Sequence, residues 1–110
     1  MAVPTIAELF GSSATLNTAT KMLTINLADF LANEQLDTPT TAPRIATALI
    51  RRWNNNTKAR TDQSDCGIVV DDPYKSLTVR GSTTQREYSY SCRIYTPDNS
   101  AAQPDPDDVV

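Results

Sequence analysis

The stretch TQREYSYSCRIY, residues 84–95, places tyrosine, cysteine or isoleucine at every second position from 88 to 94, and this alternation creates two unlike faces. One face carries Arg86, Tyr88, Tyr90, Cys92 and Ile94, and the other carries Glu87, Ser89, Ser91, Arg93 and Tyr95. A period of two with aromatic residues on one side is typical of an antiparallel strand with one solvated face. We therefore predict a long strand here, with the tyrosine face, including Cys92, buried.

Shorter strands are predicted before it. Residues 22–27 alternate between apolar and polar side chains, residues 67–70 form a short apolar run, and residues 76–80 alternate again. Turn-forming residues at 71–74 and 81–82 separate the later strands. The sequence thus predicts a meander of about four strands in one small antiparallel sheet.

Residues 41–55 predict the main helix. Thr41 suits the N-cap, and Pro43 suits the first turn because its missing N–H would have no partner there. An apolar stripe with helical spacing follows, formed by Ile45, Ala46, Leu49, Ile50 and Trp53. This helix would cover the apolar face of the sheet, so the predicted fold class is α+β.

The chain divides into a core and two extremities. The core spans residues 21–96, between an N-terminal arm at 1–20 and a C-terminal tail at 97–110. The arm holds a short helical segment ended by Gly11, which is too short to be stable alone and is predicted to dock on its own domain. The tail is rich in Pro and Asp and is predicted to be extended in isolation.

Composition restricts the possible functions. A chain of 110 residues has room for one domain. Its net charge of −3 makes general attraction to nucleic acid unfavourable, and the absence of histidine removes the commonest general base and metal ligand. The hydrophobic fraction of 39% is low and small neutral polar residues replace it, which favours contacts between subunits over a large private core. No membrane span or secretory signal is predicted.

Two groups of carboxylates could suggest chemistry. Asp62, Asp65, Asp71 and Asp72 lie in predicted loops, where Asp is favoured for its local hydrogen bonds. The acidic residues of the tail lack the glycine and the final glutamate of a calcium-binding loop. We predict no catalytic site, no metal and no cofactor, and hence a non-enzymatic protein.

The two cysteines, Cys66 and Cys92, lie in predicted strands. Without histidine, neither has the usual partner of a nucleophilic thiol. We predict two buried free thiols, and a disulfide between neighbouring strands is the alternative.

Basic residues cluster on the predicted helix and in the loop after it: Arg44, Arg51, Arg52, Lys58 and Arg60. One interpretation is a small nucleic-acid-binding module that uses this basic face. The other is a solvated helix face, either free or opposite the acidic surface of a like subunit. No recognised nucleic-acid-binding motif accompanies the charges, so nucleic acid is the less favoured partner.

Contacts with other molecules are predicted at both extremities and at Tyr95, near the end of the core. The residues singled out are Ile6, Leu9, Phe10, Tyr95, Val109 and Val110. The first three form an isolated apolar cluster, Tyr95 lies on the polar face of its strand, and the last two could anchor the tail in a neighbour's groove or sheet edge.

These features together resemble small structural proteins of tailed bacteriophages. The resemblance rests on a short α+β core, on strands rich in Thr, Ser and Asn such as residues 23–27 and 86–91, and on long arms at both ends. It covers the whole chain in general character and carries over no functional residues.

This resemblance implies a capsid-decorating (cement) subunit, made in the host cytoplasm and located in the virion. Such a subunit would form homo-oligomers and contact like subunits and other structural proteins through its arms. A tail, neck or baseplate component is the alternative.

Overall fold

The chain is α+β in its computed structural model, which describes residues 3–98 and 102–110, and this is the predicted class. Two helices, α1 and α2, span Ile6–Phe10 and Ala42–Thr57. Six strands, β1 to β6, span Thr15–Asn17, Met22–Thr24, Ile68–Val70, Tyr74–Arg80, Thr83–Ser89 and Cys92–Ile94. Short 3-10 turns lie at Leu27–Phe30 and Pro106–Asp108.

The main helix forms where it was predicted. The Thr41 hydroxyl accepts a hydrogen bond from the Arg44 N–H at 3.4 Å, and a proline lies in the first turn. The helix continues to Thr57, two residues beyond the predicted end, because Asn54 and Thr57 are held by packing on β3. Local propensity favoured an end at the three asparagines, and tertiary contacts override it.

Helix α1 is also where it was predicted, and it docks on its own domain. Thr5 and Glu8 form a reciprocal capping box at its start, with each side chain accepting the other residue's N–H. Gly11 follows with a φ of 110°, a conformation that residues with a Cβ rarely adopt.

The strands form three two-stranded ribbons instead of one sheet of about four strands. The first, β1 with β2, lies partly within the predicted N-terminal arm. The other two belong to a single interrupted hairpin, in which β3 pairs with β6 and β4 pairs with β5. Residues 71–73 on one side face only residues 90–91 on the other, and this extra residue offsets the register as a bulge does.

A tight turn closes the outer end of that hairpin. Arg80 pairs with Thr83, so the loop has two residues, Gly81 and Ser82. Gly81 has a φ of 64°, and glycine at the first position of a two-residue loop suits the twist of the flanking strands.

The buried interior consists of two small clusters on α2. Phe30, Leu36 and Ala48 form the first, on the N-terminal half of the helix. Val69 and Val70 of β3 are fully buried near Thr57 and form the second. Because each cluster is small, much of the chain lies outside them.

The overall shape is open for a chain of this length. The solvent-accessible surface is 7800 Å², whereas a compact monomer of this size exposes about 6,000 Å². The radius of gyration is 15.9 Å, against about 13 Å for a compact domain. Within the described residues, no helix has the length and apolar character needed to cross a bilayer.

The predicted burial of the tyrosine face of residues 84–95 is wrong. Tyr88 is 53% exposed, Ile94 is 48% exposed and Cys92 is also exposed, while Tyr90 is half-buried. The reason is that α2 packs on β3 and makes no extensive contact with β5 or β6, so these two strands have no layer above them. Alternation predicted a strand with two unlike faces, but it could not show which face another element would cover.

Candidate interaction surface

The ribbon formed by β4 and β5, which we call the outer ribbon, is largely exposed. Its seven cross-strand pairs run from Tyr74 opposite Ser89 to Arg80 opposite Thr83. It makes no extensive contact with any other described element. A two-stranded hairpin without a covering layer is at best marginally stable in water, so a partner surface would stabilise this one.

The strand register assigns the side chains of the outer ribbon to two faces. Directly paired residues lie on the same side, and neighbours along a strand lie on opposite sides. One side, which we call the ribbon face, consists of Lys75, Leu77, Val79, Thr84, Arg86 and Tyr88. The opposite side is mainly polar and consists of Tyr74, Ser76, Thr78, Arg80, Thr83, Gln85, Glu87 and Ser89.

The ribbon face combines apolar groups with positive charge. Leu77 is 66% exposed and Val79 is 68% exposed. With Tyr88 they form an apolar stripe between two basic side chains, Lys75 and Arg86. Contiguous exposed apolar residues rimmed by polar ones are a mark of interaction sites.

The ribbon of β1 and β2 is exposed as well. Met22 is 62% exposed and Leu16 is 50% exposed. Leu16 pairs with Leu23, and every residue of both strands is exposed. Two ribbons therefore account for much of the surface in excess of a compact monomer.

The predicted basic face is used largely inside the chain, and Arg52 shows this most clearly. Its Nε donates to the Glu8 carbonyl at 3.1 Å and its Nη2 to the Ala7 carbonyl at 2.7 Å. Its Nη1 also pairs with the buried Glu34 carboxylate at 3.2 Å, and the guanidinium lies 5.3 Å from the Phe30 ring centre. The Ala7 carbonyl also accepts from the Gly11 N–H that ends α1, and Arg52 adds a cation at this negative end of the helix.

Other side chains of α2 and the loop after it hold α1 in the same way. The Trp53 Nε1 donates to the Leu9 carbonyl at 2.7 Å, and the Asn56 amide donates to the Glu8 carbonyl. Arg60 forms an ion pair with the Glu8 carboxylate. The hydrogen bond from the Thr5 N–H, together with the Arg60 cation, holds the pKa of Glu8 below its ordinary value of 4.5.

The remaining members of the basic face also have partners. Arg51 donates to the Glu34 carbonyl at 2.7 Å, Arg44 donates to the Thr40 hydroxyl at 2.9 Å, and Lys58 pairs with Asp72 at 3.3 Å. Arg44 and Arg51 line an open groove of about 550 Å³ between α2 and residues 34–38. The basic cluster is thus divided among several internal contacts and is not gathered on one free surface.

The N-terminal residues predicted to contact neighbours lie partly against their own domain. Phe10 meets the Trp53 ring edge-to-face with 6.0 Å between ring centres. Leu9 is half-buried, whereas Ile6 is 36% exposed. Trp53, predicted in the core, is half-buried beneath α1.

The end of the tail also packs against its own domain. The Val110 N–H donates to the Tyr95 carbonyl at 3.2 Å, and the Tyr95 N–H donates to the Gly67 carbonyl at 2.9 Å. A Cβ at Gly67 would lie 1.8 Å from the Val110 carbonyl oxygen and 2.6 Å from the Val109 Cγ1. The contact therefore depends on glycine at position 67. The predicted contact residue Tyr95 is half-buried beside it.

The carboxylates near β3 act in local ion pairs and hydrogen bonds. Asp71 accepts from Arg93 at 2.6 Å, and this bond raises the pKa of Arg93. The Asn54 amide and then Lys58 lower the pKa of Asp72. Within residues 3–98 and 102–110, no group of three or more Cys, Asp or Glu side chains could hold a metal ion.

The cysteines differ from each other in burial. Cys66 is buried as predicted, with its thiol donating to the Ile68 carbonyl at 3.2 Å. Cys92 is exposed, so the prediction of two buried thiols is wrong for this residue. Both are free thiols, and the alternative of a disulfide between them is not formed.

Two features of the site were missed from the sequence. Asn54, interpreted as a helix-ending residue, and Thr57 bind the β3 backbone: Asn54 donates to the Val70 carbonyl at 3.0 Å, and Thr57 accepts from the Val70 N–H at 2.9 Å. The outer ribbon was predicted as sheet but not as a free surface. The alternation of polar residues with Leu77 and Val79 is equally typical of a strand with one covered face, so no local signal distinguished the two cases.

Comparisons with protein families, with characterised proteins and with solved structures find no match to this chain.

Proposed function

We propose that this protein is a non-enzymatic subunit of a larger protein assembly, and that it docks through the outer ribbon. The observation that carries this proposal is an apolar stripe on a two-stranded ribbon that has no covering layer. Leu77 and Val79 are each about two-thirds exposed. Transfer of apolar surface from water to a partner is favourable by about 25 cal/mol for each Å².

The finer proposal is a virion structural protein of the capsid-decorating class, with a tail, neck or baseplate component as the alternative. It rests on the resemblance in general character described above. An open shape with a small core and projecting ribbons suits a subunit that gains much of its order from neighbours. The arm residues Ile6 and Val110 remain predicted contacts, since both keep about a third of their surface exposed.

Particle fractionation tests the proposal. We expect the protein to co-sediment with large particles from its natural source, and Leu77→Ser with Val79→Ser to remove it from that fraction. Thr83→Ser with Gln85→Ser changes the opposite side of the same ribbon and is the matched control, which should stay bound. Wild-type protein found only as a free monomer, in the presence of such particles, would contradict the proposal.

A further inference from the structure

The edge of the hairpin that β3 and β4 share is closed at one end and open at the other. On β3, the Val70 carbonyl accepts from the Asn54 amide at 3.0 Å, and the Val70 N–H donates to the Thr57 hydroxyl at 2.9 Å. Side chains of α2 therefore occupy the backbone groups that an added strand would need. On β4, no described element other than β5 makes extensive contact. An edge of this kind is a template for pairing with another strand.

The strand register shows which backbone groups of β4 point outward. Arg80 pairs with Thr83 across a two-residue loop, and the pair that closes such a loop is hydrogen-bonded. Bonded and non-bonded pairs then alternate along the ribbon, so Lys75, Leu77 and Val79 direct their N–H and carbonyl groups away from β5. Because β4 spans seven residues without a proline or a break in register, it is a long and regular edge.

We propose that β4 of one copy pairs antiparallel with β4 of a second copy, about a twofold axis at Leu77. The strands would follow the order β5, β4, β4, β5, and both ribbon faces would lie on one side of a four-stranded sheet. A two-stranded ribbon alone is marginally stable in water, whereas a sheet of three or more strands with an apolar face is stable. The inference rests on the proposed function, names a like subunit as partner, and concerns the edge of the outer ribbon instead of its face.

The side chains of β4 complement one another in this arrangement. Full overlap of the seven residues places Leu77 opposite the partner's Leu77 and Lys75 opposite the partner's Val79, so the apolar stripe continues across the axis. On the other side of the sheet, Arg80 lies opposite the partner's Tyr74, where a cation can contact the ring. No like charges meet, and aromatic and apolar cross-strand pairs stabilise a sheet.

Charge selects β4 over the other edge of the ribbon. The same full overlap of β5 with a second β5 places Arg86 opposite the partner's Arg86, and like charges directly opposite one another destabilise a sheet. These β5 strands form both outer edges of the proposed dimer. The contact is therefore isologous and closed at two copies.

A pair of proline substitutions in the full-length protein tests the inference. Val79→Pro removes an outward N–H that would bond to the second copy, and it leaves the hydrogen bonds to β5 in place. Thr84→Pro makes the same change directly opposite, on the β5 edge, and is the matched control. In sedimentation velocity, we expect the wild type and Thr84→Pro to dimerise equally and Val79→Pro to associate at least about tenfold more weakly. Circular dichroism checks that both variants are folded.

Cross-linking tests the register without a change to the backbone. Cys92→Ser first removes the exposed native thiol. Leu77→Cys then places two thiols across the axis with Cα atoms about 5.5 Å apart, within the range of a disulfide, so oxidised glutathione should give a covalent dimer. Val79→Cys is the control, since its two copies would lie more than about 13 Å apart and should not cross-link.

Three results would overturn the inference: a wild type that stays monomeric, a folded Val79→Pro variant that associates normally, or equal cross-linking at residues 77 and 79. Equal weakening by Thr84→Pro would also overturn it, because it would indicate pairing of β4 with β5 of the next copy. If the wild type is monomeric but Leu77→Ser with Val79→Ser is lost from large particles, the inference fails and the proposed function stands. A wild-type dimer that never associates with such particles gives the reverse.

Discussion

The inner and outer halves of one hairpin have the same backbone pairing and opposite surroundings. In the inner ribbon, which β3 and β6 form, Val69 and Val70 are at most 2% exposed beneath α2. In the outer ribbon, Val79 has the same side chain on the same kind of strand and is 68% exposed. The difference shows that strand formation and core formation depend on different interactions in this protein. Hydrogen bonding forms both ribbons, and only the inner one contributes to the core.

The largest expected effect tests how the body around the inner ribbon is held together. Arg52→Ala removes the cap of α1 and leaves the Glu34 carboxylate buried without its cation, so we expect a loss of about 3 kcal/mol in the free energy of unfolding. Urea denaturation measures it. Arg44→Ala, at the exposed start of the same helix, is the control and should cost about 0.5 kcal/mol or less. Equal effects at the two positions would show that Arg52 is not a structural cross-link.

The same substitution in the two ribbons addresses the comparison directly. Val70→Ala should cost about 2 kcal/mol because it leaves a cavity under α2, whereas Val79→Ala should change the free energy of unfolding by no more than about 0.5 kcal/mol. Paired urea melts give both values. A large cost at Val79 in the monomer would mean that the outer ribbon packs on the body.

The contact between the end of the tail and the inner ribbon should contribute somewhat less to the free energy of unfolding. Gly67→Ala places a methyl group where the Val110 carbonyl lies, so residues 109–110 must leave, at a cost of about 1–2 kcal/mol. Deleting residues 109–110 should cost a similar amount. The same glycine substitution in the shortened chain should then cost little, because the two changes remove one contact. Additive costs, measured by thermal or urea unfolding, would contradict this account.

The smallest expected effect is a pH dependence of α1 docking. The folded-state pKa of Glu8 lies below its ordinary value of 4.5, so its contribution is present above that pH and is lost as the pH falls through the folded value. Phe10 and Leu9 both contact the Trp53 indole, so Trp53 fluorescence reports the undocking of α1 and should change in that acid range. Glu8→Gln removes the charge and should flatten the change, and a profile unaltered by this substitution would assign it to other carboxylates.

Elements with complete local signals were predicted well from the sequence. Thr41, Pro43 and the apolar stripe located α2, and Gly11 marked the end of α1. The strand pattern from residue 67 to residue 95 was also largely correct. These features depend on interactions between residues a few positions apart, and such interactions are visible in the sequence.

Features that depend on distant residues were missed or misplaced. Nothing near Arg52 in the sequence indicates that it caps α1, since its partners are more than 40 positions away. Likewise, alternation along residues 84–95 predicts two faces but not that α2 leaves both of them uncovered. The candidate interaction surface was therefore predicted at the arms and at Tyr95, whereas the outer ribbon carries an exposed apolar stripe.

The sequence by itself determined the α+β class, the main helix with its cap, the strand segments and the two-residue turn at Gly81. It also determined the excess of negative charge. Only the tertiary structure decided which strands are covered, which arginines form internal contacts and where residues 109–110 pack. The physical reason is that hydrogen-bonding periodicity and turn propensity act over a few residues, while burial and ion pairing depend on which surfaces the folded chain brings together.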